Sequence, residues 1–212
     1  LTLKTSTIGA TSGLNNQGTV VVSGVVNVAG PLTTAAGSVL RMLGDNVLGT
    51  ANLVVATGFT NLGAIELSIV NAPSSAQLTV TSGTLTNAAG GTITTLVGAT
   101  GGTRTLAAEL DNQGTVTMNV PLTLTATGAA HTNSGTIDLS VSDWLLQLGP
   151  YASSFTNTGT VTIGTGRTWT ISGGTLNQNQ NAGVIGGPGT LALSGVTVIG
   201  PGTLTNAPGH TL

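Results

Sequence analysis

Leu110-Asp111-Asn112-Gln113-Gly114-Thr115-Val116-Thr117-Met118 is the stretch whose reading decides the fold. An Asn-x-Gly corner runs directly into a segment where hydroxyl and apolar residues alternate. The same order returns as Leu14-Asn15-Asn16-Gln17-Gly18-Thr19-Val20-Val21-Val22 and as Phe155-Thr156-Asn157-Thr158-Gly159-Thr160-Val161-Thr162-Ile163. Further copies surround Asn61, Asn87, Asn133, Asn181 and Asn206, and Thr34 stands where another asparagine would fall. From Asn61 onward the successive asparagines are 26, 25, 21, 24, 24 and 25 residues apart. A motif returning about every 24 residues is the signature of a repeat array, and the scatter places insertions at the corners.

Inside one repeat the apolar residues recur with period two, so the chain reads as strands. After Asn112, Val116 and Met118 share one face while Thr115 and Thr117 share the other. Pro121 then bends the chain, and Leu122 and Leu124 continue the apolar face. After Asn157, Val161 and Ile163 point one way, a Gly164-Thr165-Gly166 turn follows, and Trp169 and Ile171 point inward. No stretch has the helical period, and Thr, Val and Ile favour strands. An antiparallel sandwich does not require one turn motif to recur at a fixed interval. A parallel β-helix does, because each repeat is one coil and equivalent residues stack about 4.8 Å apart. The expectation is an all-β, right-handed parallel β-helix of about nine coils, a single solenoid over residues 1–212 and a rod on the order of 40 Å long.

Composition narrows the function classes. Only 10 of 212 residues are charged, and the net charge of −2 offers no field for nucleic acid or an anionic membrane. There is no cysteine, hence no disulfide framework and no thiolate metal site. No apolar run approaches the ~20 residues of a membrane helix. Lys4 is the sole lysine, so there is no phosphate-binding loop. His131 and His210 stand apart from each other, which argues against a metal centre, and no cofactor is expected. The chain opens at Leu1 without an initiator methionine and closes in mid-pattern, so it reads as a segment of something longer or as a subunit that stacks end to end.

The recurrent polar residues have a structural reading first. Asn16, Asn61, Asn87, Asn112, Asn133, Asn157 and Asn206 form an expected corner column, where asparagine tolerates left-handed backbone and its amide reaches the amides above and below. The glycine two residues later is expected to supply a conformation closed to other residues. Paired threonines such as Thr92 and Thr94, Thr115 and Thr117, and Thr160 and Thr162 suit an exposed strand face, or a water-ordering face for ice. Glu66 and Asp138 interrupt that column.

Polysaccharide-cleaving chemistry needs carboxylates gathered on one face. Glu66 and Asp138 share a column three coils apart, about 14 Å, which is too far. Glu109 and Asp111 are the closer pair, with Arg104 nearby. Where the repeat lapses, Arg41 lies in a long gap between copies, and Trp144 and Tyr151 lie in a second irregular segment. These three are the candidate partner contacts. Exposed rings at a corner stack on sugars or enter a partner, whereas a ring folded back would cover its own insertion.

The Asn-x-Gly-Thr-Val/Ile alternation has Gly-Thr-Leu-x-Asn joins at Gly83-Thr84-Leu85-Thr86-Asn87 and Gly202-Thr203-Leu204-Thr205-Asn206. Over nearly the whole chain it resembles secreted bacterial parallel β-helix surface proteins, the autotransporter passengers and filamentous-haemagglutinin-type adhesins. The resemblance implies export to the bacterial surface or beyond and a structural, adhesive or fibre-forming role, with self-association or surface glycans as partners. It carries over no catalytic residue. A carbohydrate-active or carbohydrate-binding β-helix is the alternative.

Overall fold

The computed structural model describes residues 1–71, 73–98, 101–149, 152–178 and 183–200. All regular elements among them are strands, and every strand–strand pairing of the ladder is parallel. The strands stack on three faces. Thr19–Val28, Val39–Gly44, Ala64–Ile69, Thr92–Thr95, Thr115–Met118, Thr136–Leu139, Thr160–Ile163 and Val184–Gly186 succeed one another on the first face. The second face carries Ala51–Val55, the start of Ala76–Asn87 and of Arg104–Asn112, then Leu122–Thr125, Trp144–Gln147, Thr168–Ser172 and Thr190–Ser194. The third ends in the asparagine corners, for example Ala130–Asn133 and Ser154–Asn157.

The result is a β-solenoid of about eight turns. The ninth expected copy centres on Asn206, which lies outside the described residues.

Register follows from alternation. A slip by one residue would turn every inward side chain out. Val116 therefore stacks between Ile93 and Ile137, and Met118 on Thr95. The inward residues form one continuous apolar core, from Leu14 to Leu191. Its largest side chains cluster near the last turns. Trp144 and Trp169 are register partners with rings stacked 4.8 Å apart and 7° from parallel. Phe155 meets both edge-on, at 5.8 and 5.5 Å, which suits the ring quadrupoles.

The Asn-x-Gly corner, which closes the third face onto the first, is the most regular: two residues follow Asn16, Asn61, Asn112, Asn133 and Asn157 before the next strand, and four (35–38 and 88–91) follow Thr34 and Asn87. At Asn112, the amides of Ser134 and Gly135 in the next coil both donate to its carbonyl, and at Asn133 those of Thr158 and Gly159 do the same. The other two corners vary more, and the one between the second and third faces holds a groove.

Candidate functional site

The asparagine column is fully buried from Asn61 to Asn157. Each side-chain amide donates to the carbonyl oxygen of the next. Asn61 reaches Asn87 at 2.9 Å, Asn87 reaches Asn112 at 2.8 Å, Asn112 reaches Asn133 at 2.7 Å and Asn133 reaches Asn157 at 2.8 Å. Asn157 continues to Gln178 at 3.3 Å, and Thr34 enters from above by donating to Asn61 at 3.1 Å. At Asn61, Asn87 and Asn112 the amide also donates to backbone carbonyls, as Asn87 does to those of Gly91 and Thr115. All the amide dipoles point along the rod, so each bond polarises the next. Asn16 lies in the same column but bonds to the Val39 carbonyl and to the Gly18 amide. Asn206 lies outside the described residues.

The backbone reason expected for this corner is corrected. Thr5 is the one non-glycine with positive φ among the described residues, so no corner asparagine there is left-handed. Nor do Gly63, Gly91, Gly114, Gly135 and Gly159 adopt positive φ. They are glycines because the coils touch. A Cβ on Gly91 would sit 2.6 Å from the Asn61 carbonyl oxygen, and one on Gly114, Gly135 or Gly159 would be closer still to the glycine carbonyl of the coil before.

The candidate partner contacts are placed as follows. Trp144 is an interior residue, buried against Trp169 and Phe155, because it occupies an inward position of its strand. It therefore presents no ring to a partner. Tyr151 lies outside the described residues. Arg41 belongs to the regular strand Val39–Gly44, not to a gap, and the irregular segment begins only at residue 45. Its guanidinium meets the Glu66 carboxylate of the next rung at 2.6 Å, with 38% of its side-chain surface open to water. Such a pair is worth at most about 1 kcal/mol.

Glu66 and Asp138 fall in one column with Thr94 and Thr117 between them, three rungs apart. Thr92, Thr115, Thr136 and Thr160 stack beside that column, so the paired threonines form a two-column array broken at Asp138.

Glu109 and Asp111 share the outward face of Arg104–Asn112. Asp111 is tied on both oxygens, by the Thr132 hydroxyl at 2.6 Å and the Gln113 amide at 2.7 Å. Glu109 accepts from the Thr84 hydroxyl at 2.6 Å and from the Ala130 amide at 3.1 Å. Those donors, Thr84 first, hold its carboxyl below the usual carboxylate range. An ionised carboxylate of this kind accepts hydrogen bonds and attracts cations. It is a poor proton donor at neutral pH.

Glu109 stands in a groove of about 510 Å³ whose walls are residues 79–83 and 125–129 and whose floor is Ala107 with Glu109. Its origin is a difference in corner length. Between the stacked inward residues Leu78 and Leu85 lie residues 79–84, and between Leu124 and His131 lie residues 125–130. In the coil between them, Leu106 and Leu110 are separated only by residues 107–109. The middle coil cuts the corner three residues short of both neighbours. Sequence reading found the carboxylates but missed the groove. No spacing signalled it, because the cut corner falls inside the ordinary interval of 25 between Asn87 and Asn112, where the longer segments 88–91 and 96–103 offset it.

Two buried polar residues were also missed. His131 replaces an apolar residue in the column of Leu85, Leu110 and Phe155 and is fully buried. Its Nδ1 accepts the Leu110 amide at 3.1 Å and its Nε2 has no partner among the described residues. Burial drives its pKa down to about 4, with Glu109 pulling weakly the other way. Arg104 points inward at the register position of Ala76 and Leu122. Its guanidinium donates to the carbonyls of Leu96 and Gly101, and burial lowers its pKa.

No family model matches the sequence, and no curated protein or solved structure matches it either.

Proposed function

We propose that the protein is a structural and adhesive rod of the bacterial exterior, built to display surface and to join further coils along its axis. One observation carries this reading. The side-chain amides of the recurrent asparagine corner are committed to neighbouring coils through the ladder, which supports a repeat built for stacking. The outward faces are then threonine-rich and nearly uncharged, as suits a surface that packs against others. The strand Thr2–Ile8 pairs with Thr19–Val28 alone, so its other edge has no strand partner among the described residues. Another coil, from the same chain or a second copy, completes it.

Sedimentation velocity with negative-stain electron microscopy over a concentration series tests the joining. The expected result is end-to-end oligomers whose lengths are multiples of one rod. Substituting proline for Thr2 or Thr7, whose amides face the open edge because Leu1 and Ile8 bond to the paired strand, should shift them to single rods. Single rods at every concentration overturn self-joining. The competing reading is a carbohydrate-cleaving solenoid. It requires turnover of an acidic polysaccharide that disappears in Glu109→Gln, and such turnover would replace the structural reading.

A further inference from the structure

The groove at the cut corner is a rung missing from the ladder. Pairing between the coils stops at Ala107 with Thr79 and resumes only at Glu109 with Thr84, so residues 80–83 face no strand on that side. On the opposite wall the last pair is Leu106 with Leu124, and pairing resumes at Asp111 with Thr132. The two walls are rungs on either side of the short coil, so they stand two rung spacings apart, about 9.6 Å. One extended backbone laid between them would lie at the ordinary strand spacing of about 4.8 Å from each wall.

The lining leaves room for a main chain. Gly83, Ala107, Ala126, Gly128 and Ala129 are small, and no aromatic ring is among the lining residues. At the downstream end the protein already repairs its own missing rung. The Ala130 amide, which lacks a strand partner there, is accepted by the Glu109 carboxylate instead. Each carboxylate oxygen takes one protein donor and has a second lone pair to offer. No lysine or arginine is among the residues that line the groove, so this negative charge has no cation beside it.

We propose that the notch is a docking site for an extended polypeptide segment of a partner, laid in as the missing rung, with a lysine or arginine side chain over Glu109. Main-chain bonds to the strand edge at residues 80–83 supply affinity, the turn at residues 127–128 closes the downstream side, and the carboxylate selects the basic residue. The segment need be only three to four residues long, because the short coil lacks three. A saccharide would also meet hydroxyls here, from Thr79, Thr81, Ser82, Thr125 and Thr127. It would find no ring to stack on and would leave the strand edge at residues 80–83 unmatched. The proposal stands independently of the rod reading above.

The test is amide chemical-shift mapping on the ¹⁵N-labelled protein. The probe is N-acetylated Thr-Thr-Lys-Thr-Thr-amide, compared with the same peptide carrying glutamate at the centre and with Thr-Pro-Lys-Pro-Thr-amide. The lysine peptide should shift the amides of Thr81, Ser82, Gly83, Thr127 and Gly128 with a Kd on the order of 1 mM. The glutamate and proline peptides should bind at least about tenfold more weakly. Glu109→Gln should weaken the lysine peptide about tenfold. Ala107→Tyr, which fills the floor and keeps Glu109, should abolish the shifts while the remaining spectrum stays in place. The proposal is overturned if no notch amide responds or if the three peptides act alike. It also fails if a folded Glu109→Gln or Ala107→Tyr protein binds as the parent does. Shifts produced at these amides by maltotriose but not by the peptides would reassign the notch to glycans.

Discussion

Replacing Asn112 with alanine cuts the amide ladder at its middle, and the cost can be built up from its partners. The Asn133 carbonyl oxygen, fully buried, loses its donor at 2.7 Å. Leaving such an acceptor bare costs about 1–3 kcal/mol. The Asn87 amide loses its 2.8 Å acceptor but keeps the longer contacts to the Gly91 and Thr115 carbonyls at 3.2 and 3.3 Å. That change costs about 1 kcal/mol. The Thr136 carbonyl loses a further bond at 3.1 Å, and the vacated side chain adds a small cavity term. The total is about 3–5 kcal/mol, a large share of the stability of an ordinary domain.

The assay is urea unfolding followed by far-ultraviolet circular dichroism and by the fluorescence of the Trp144–Trp169 stack, the two probes together reporting whether the array still melts as one unit. Asn15→Ala is the control. Asn15 is exposed and accepts only the Thr33 hydroxyl, so its loss should stay within about 0.5 kcal/mol. A loss below about 1 kcal/mol for Asn112→Ala, matching the control, would refute the claim that the ladder holds the coils.

Three further outcomes are expected. Thr34→Asn should complete the column between Asn16 and Asn61 and raise stability by about 1 kcal/mol in the same urea assay. Gly114→Ala should cost several kcal/mol, because the new Cβ runs into the Gly91 carbonyl, whereas Gly18→Ala, where nothing lies within 4 Å, should be nearly silent; thermal melts of the pair compare them. The third concerns His131, whose folded pKa of about 4 lies below its ordinary 6.5. The unfolded chain therefore takes up the proton first, and stability is full above pH 6.5 and falls as pH drops towards 4, by about 3 kcal/mol. Protonation would also put a second donor against the Leu110 amide. Urea midpoints measured from pH 7 to 4 should show this slope, and His131→Phe should flatten it.

Much of the fold was legible because it is written in local rules. Alternation in Thr115, Val116, Thr117 and Met118 fixes which side chains face inward, and it holds whatever lies above or below. The return of Asn-x-Gly forces equivalent residues into one column, since a parallel stack brings each coil against its own counterpart. Trp169 could be placed inward by the same alternation. Trp144 could not be assigned, because the irregular residues before it hide the phase of its strand.

The sequence by itself thus determined the strand faces, the parallel stacking and the amide column. The tertiary structure decided the rest. The corner glycines are required by a carbonyl one coil away rather than by their own φ. His131 and Arg104 turn out to be interior residues, since their positions are defined by partners more than twenty residues distant. The groove exists because residues 107–109 are short beside residues 79–84 and 125–130. No single coil contains that fact. It arises from the difference between neighbours, and only stacking brings the neighbours together.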